Sequence, residues 1–113
     1  MTRVIVKSGI CGFIGTVEVD KVDDKSFKVV ITSGCKMVTE LGKSLTEIDE
    51  GEVLERHIDT EVYKAASGCH LHTACPVPMA VLKAIEAEAG LALPRDVVVM
   101  FDTMHIFDAI MHK

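Results

Sequence analysis

Tryptophan is absent and aromatic residues make up only 4% of the chain. The core must therefore be built from Val, Ile, Leu, Met and Ala, and little flat surface is left on which bases could stack. Basic residues are also in deficit, with 12 Lys and Arg against 17 Asp and Glu and a formal net charge of −5. Phosphate backbones are bound by clustered Lys and Arg, so nucleic acid is not an expected partner. Nor is a membrane. The longest stretch without a charged residue, 65–82, contains Ser67, Gly68, two His and two Pro, which is not the composition of a spanning helix.

At the N-terminus, MTRVIVKSGICGF, Arg3 and Lys7 interrupt an apolar stretch too short for an export signal. The expected location is the cytoplasm, where thiols stay reduced. There the four cysteines point to metal binding or catalysis rather than to a disulfide framework. The sequence has no Cys-x2-Cys pair, no Gly-rich phosphate loop and no G-x-S-x-G. Nothing in it names an organic substrate.

What is present is 113 residues, 49% hydrophobic, the size of one domain, 1–113, around a single core. Residues 2–7 read as a strand ended by Gly9 and Gly12. Val17 and Val19 alternate with Thr16, Glu18 and Asp20, and Phe27, Val29 and Ile31 alternate with Lys28 and Thr32, the period of half-buried strands. Asp23-Asp24-Lys25 supplies the turn, so residues 14–34 are expected to form a hairpin. After Cys35 the period lengthens. Met37, Val38 and Leu41 suit a short helix stopped by Gly42, and Ser44-Leu45-Thr46-Glu47 has the form of a capping box. Leu54, Ile58, Val62 and Ala65 suit a second helix ending at Ser67-Gly68. A third should run from Pro76, through Val77, Val81, Leu82, Ile85 and Ala89, to Gly90.

Residues 97–101, an unbroken β-rich apolar run, read as a further strand covered on both faces. Met104, Phe107, Ile110 and Met111 suit a terminal helix, and Met100, Met104 and Met111 are expected in the core. The acidic stretch 47–61 reads as a solvated helix face. The expected class is α+β: a three-stranded antiparallel sheet with packed helices and an additional C-terminal strand.

Within this frame GCHLHTACPVP (68–78) stands out for its two cysteines and two histidines. With a turn centred on Asp24, residues paired across the hairpin have numbers summing to 48. Cys35 then lies opposite Phe13, two positions from Cys11 and at the end where the first strand finishes. Cys75 belongs at the same end if the third helix leads into a strand at 97–101 that runs toward that end, and Cys69 would follow it. A helix N-terminus favours thiolate, which is what soft metals bind. Cys69 suits either a fourth ligand or the resolving half of a redox pair with Cys75. His70 and His72, separated by Leu71, are candidates to share one side, with solvent exposure as the simpler reading.

The order of these residues resembles iron–sulfur cluster scaffold proteins of the NifU/IscU type. Cys11-Gly12 follows a strand; Gly34-Cys35 opens a helix; Leu41-Gly42-Lys43-Ser44-Leu45-Thr46-Glu47-Ile48 comes next; His72-Thr73-Ala74-Cys75 precedes the last helix. The chain also looks like a group of small proteins from anaerobes, which carries no function over. The NifU/IscU resemblance implies a three-stranded antiparallel sheet and cluster ligation by Cys11, Cys35 and Cys75. Phe13 stands where those scaffolds have Asp, Ala74 stands where their His precedes the third Cys, and residues 95–113 have no counterpart. The expected function is a small cytosolic protein that binds an iron–sulfur cluster, or zinc, through Cys11, Cys35 and Cys75 with Cys69 or His72 as fourth ligand. It would serve as carrier, scaffold or accessory in metal-cofactor biogenesis, with a protein partner. A dithiol redox protein using Cys75 and Cys69, or a binding module without metal, are the alternatives.

Overall fold

A computed structural model describes residues 1–104 and residue 111. Its sheet is antiparallel with four strands in sequence order. β1 (Thr2–Lys7), β2 (Ile14–Lys21) and β3 (Ser26–Thr32) form a meander, and a short β4 (Glu47–Asp49) pairs with the start of β3. The β2–β3 partners, from Thr16↔Thr32 to Lys21↔Phe27, all sum to 48 as the turn signal implied. Asp23 fixes that turn. Its Oδ1 accepts from the backbone N–H groups of Lys25 and Ser26 at 2.8 and 2.9 Å, and the Lys25 N–H chiefly holds its carboxyl below the usual range.

One face of the sheet carries Val6, Val17, Val19, Phe27 and Val29, all buried, and three helices cover it: α1 (Lys36–Ser44), α2 (Glu61–Gly68) and α3 (Val77–Glu88). Strand alternation leaves Ile5, Ile14 and Val30 exposed on the other face. α3 lies across β1 and β2, and Glu88 sets its direction. The Glu88 carboxylate accepts from Thr2 Oγ1 at 2.7 Å and from the Lys21 N–H at 3.2 Å, so the helix ends beside the start of β1. Twelve helical residues rise about 18 Å and six strand residues about 20 Å. The N-terminus of α3 therefore reaches the level where β1 finishes.

Several sequence expectations are corrected. Gly42 does not stop α1. A Cβ there would lie 3.2 Å from the Ile31 carbonyl oxygen, so glycine lets the helix approach β3 closely. Ser44 is the last residue of α1 rather than a cap, and the following segment pairs as β4 because Ile48 is buried beside its partner Phe27. The expected second helix starts only at Glu61. Before it come two 3₁₀ turns, Glu50–Leu54 and His57–Asp59, in which Leu54 and Ile58 are exposed. The acidic stretch is not all solvated: Glu52 is buried, and its carboxylate accepts from the N–H groups of Glu61 and Val62, both at 2.9 Å, closing the start of α2.

The fourth strand is β4, not 97–101, which pairs with nothing in the sheet and is exposed throughout. Met100, Met104 and Met111 are likewise exposed rather than core. The expected terminal helix falls largely on residues 105–110, outside the described residues.

Candidate functional site

Cys11, Cys35 and Cys75 come from three separate segments and line one cavity of about 60 Å³, together with His72, Ser8 and Ser33. Its apolar wall is Phe13, Met37, Val38 and Leu71. Organic ligands fill pockets of about 300–1,000 Å³, so this space suits something far smaller.

Each cysteine is placed by its local backbone. Cys11 closes a 3₁₀ turn, Gly9–Cys11, between two glycines in the left-handed region, Gly9 at φ +82° and Gly12 at φ +76°. A Cβ on either would meet nothing within 4 Å, so these glycines serve the backbone conformation rather than a tight fit. Cys11 is exposed, and its thiol makes only a long 3.9 Å contact to the Ser8 carbonyl. Cys35 precedes the first residue of α1. Its N–H donates to Ser33 Oγ at 3.1 Å and its carbonyl accepts from the Thr39 N–H at 2.9 Å, while its thiol takes no part in the cap. The next-door Gly34 abuts Phe13, whose ring would lie 3.3 Å from a Cβ at position 34. The hairpin register thus carries past the last strand pair to the site.

Cys75 sits at the start of α3 just before Pro76, with its N–H donating to the His72 carbonyl at 3.0 Å. It reaches this end because α3 packs head-down on β1 and β2, not through a strand at 97–101, which does not exist. Burial pushes its thiol up from the ordinary value. The Val77 N–H opposes this, and charge on Cys35 and Cys11 adds to it. The expected net lowering by the helix N-terminus is therefore not found; enclosure outweighs it.

Cys69 is not among the residues lining the cavity. It is half-buried at the end of α2, its Sγ 3.9 Å from Ser44 Oγ. His70 and His72 do not share a role either. His70 takes φ +59° and ends α2, with Leu71 N–H donating to the Ala66 carbonyl at 3.1 Å, whereas His72 lines the cavity; both residues are exposed, in line with the simpler reading. The helix end expected at Ser67-Gly68 is where α2 stops.

All four cysteines are free. Among the described residues, no group of three or more His, Cys, Asp or Glu side chains is arranged to hold a metal ion. The three thiols and His72 surround a common space without closing on a common point. The donor set, three thiols and an imidazole, is nonetheless one that soft and borderline metals take. No helix among the described residues is long and apolar enough to cross a membrane.

The chain belongs to the DUF6951 family, a family of unknown function whose model matches residues 2–101. No match to it was found among curated proteins or among solved structures.

Proposed function

We propose that this protein binds a cysteine-ligated metal centre, an iron–sulfur cluster or zinc, and acts as a carrier, scaffold or accessory in metal-cofactor biogenesis. Cys11, Cys35 and Cys75 would be the thiolate ligands and His72 the fourth. The observation that supports this is the meeting of three thiols, from the β1–β2 connection, the start of α1 and the start of α3, with His72 at one small cavity. Packing alone gives no reason for three thiols from distant segments to meet at a surface cavity.

Ligation would need side chains to turn inward. Cys11 lies on an exposed turn and His72 in a loop between helices, so neither is locked by core packing. A positive ion would also favour thiolate at Cys75 against the burial that now disfavours it. The exposed Cys11 gives an opening at which a group larger than one ion could sit, while Phe13 and Leu71 contribute apolar lining. Cys69 lies outside this set, which gives the Cys75–Cys69 redox pairing no geometric support.

The test is purification without oxygen followed by iron, acid-labile sulfide and zinc analysis. The expected result is stoichiometric metal in the wild type and its loss in Cys11→Ser, Cys35→Ser and Cys75→Ser, since a hydroxyl is a far poorer soft-metal ligand, with retention in Cys69→Ser. A metal-free protein that takes up neither zinc nor a reconstituted cluster would refute the proposal.

A further inference from the structure

Residues 95–101 leave the body of the protein as an apolar arm. Its exit is well defined. Gly90, at φ +75°, ends α3 in a left-handed turn with Leu91 N–H donating to the Glu86 carbonyl at 2.9 Å. Arg95 N–H then donates to the Leu93 carbonyl at 2.8 Å around Pro94. Beyond it Val97, Val98, Val99, Met100 and Phe101 are 50 to 88% exposed. A β-branched and aromatic run that is apolar on both sides is the composition of a strand covered on both faces, yet among the described residues nothing covers this one. The radius of gyration, 15.8 Å, exceeds the roughly 13 Å of a compact chain of this length, and the longest dimension is 57 Å. The family match runs through residue 101, so the arm belongs to what the family shares.

The same chain carries an acceptor for it. β1 closes one side of the sheet, and among the described residues no strand pairs with its outer edge. The seven-residue arm spans about 23 Å as a strand and β1 about 20 Å. Within the arm the charges of Arg95 and Asp96 balance and residues 97–101 carry none, so no net charge of the arm repels Arg3 and Lys7 of β1. Ile5, exposed on the open face of β1, offers an apolar neighbour to one side of an added strand. Because α3 ends beside Thr2, the arm begins near the start of its own β1, but its residues are exposed rather than laid along that strand.

We propose that the arm of one copy adds as a strand to the β1 edge of a second copy, and reciprocally, so that the protein is a strand-exchanged dimer hinged at 90–94.

The test is light scattering on the full chain at about 100 μM, with Val99→Asp as the variant. Val99 is 88% exposed, so the substitution leaves the single-chain fold intact by circular dichroism. Twice the chain mass of 12.3 kDa for the wild type and a monomer for Val99→Asp are expected. Amide exchange should show residues 97–101 protected in the dimer and unprotected on dilution. A monomeric wild type, a dimer that survives Val99→Asp, or open-ended higher assemblies would each overturn the proposal. A monomer with 97–101 protected would show instead that the arm closes on its own β1.

Discussion

Glu52→Ala tests whether the buried carboxylate organises α2. Each hydrogen bond to a charged group is worth about 1.5–3 kcal/mol, but the two at Glu52 do not count equally. Val62 is fully buried, so its N–H would be left without a partner, whereas Glu61 is exposed and water can replace the lost acceptor. The negative charge at a helix start adds about 0.5 kcal/mol. Together the expected cost is about 3 kcal/mol, which for a domain of this size lowers the thermal midpoint by on the order of 10–20 °C. Glu52→Gln keeps one oxygen acceptor and should cost about half as much. Urea denaturation of the three proteins at pH 7 measures this. A Glu52→Ala variant within about 0.5 kcal/mol of wild type, the range of an ordinary surface substitution, would refute the capping role. Thiol reactivity at the cavity should be unchanged, because Glu52 does not line it.

Three further outcomes are expected. At the far end of α3 the Glu88 carboxyl is held below its usual range, chiefly by the Thr2 hydroxyl with help from the Lys21 N–H and against some burial. Its stabilisation is therefore present above the ordinary carboxylate pKa and lost as pH falls through the lower folded value. Glu88→Gln should cost about 1 kcal/mol at pH 7 and progressively less as pH falls through the lowered folded value; a cost that stays constant into acid, read by urea titration, would contradict this. Phe13→Asp replaces part of the apolar wall with a charge beside Cys11, so metal should pass to a chelator faster than from wild type; equal transfer rates would count against the wall's shielding role. His70→Gly relieves a left-handed backbone that glycine adopts freely and should stabilise by about 1 kcal/mol without loss of metal; metal loss would make His70 a ligand.

Legibility in the sequence followed the range of the interactions involved. The β2–β3 register was readable because Asp23-Asp24-Lys25 fixes the turn locally and every later pair follows from it. That register, carried to Phe13 and Gly34, brought Cys11 and Cys35 to one end. α3 was equally plain from Pro76, Gly90 and its apolar face. Cys75 was placed at the right end through a strand that is not there; the actual cause, Glu88 reaching Thr2 and Lys21 across 86 and 67 positions, has no local signature. β4 was missed because Ser44-Leu45-Thr46-Glu47 satisfies a helix-start pattern, and only the packing of Ile48 beside Phe27 decides otherwise. Glu52 was read as solvated for the same reason: its partners lie 9 and 10 residues ahead. The run 97–101 was read as a covered strand from its β-rich apolar composition, but it pairs with no strand of the sheet and is exposed, because composition alone does not supply a pairing partner.

The claim that three thiols and one imidazole share a ligand is tested most directly by X-ray absorption at the metal edge of the protein loaded with zinc. The account predicts three sulfur neighbours at about 2.3 Å and one nitrogen at about 2.0 Å, with the nitrogen lost in His72→Ala. Four sulfurs would bring Cys69 into the site against its placement beside Ser44, and a shell of oxygen and nitrogen alone would contradict the thiol cavity as a metal site altogether.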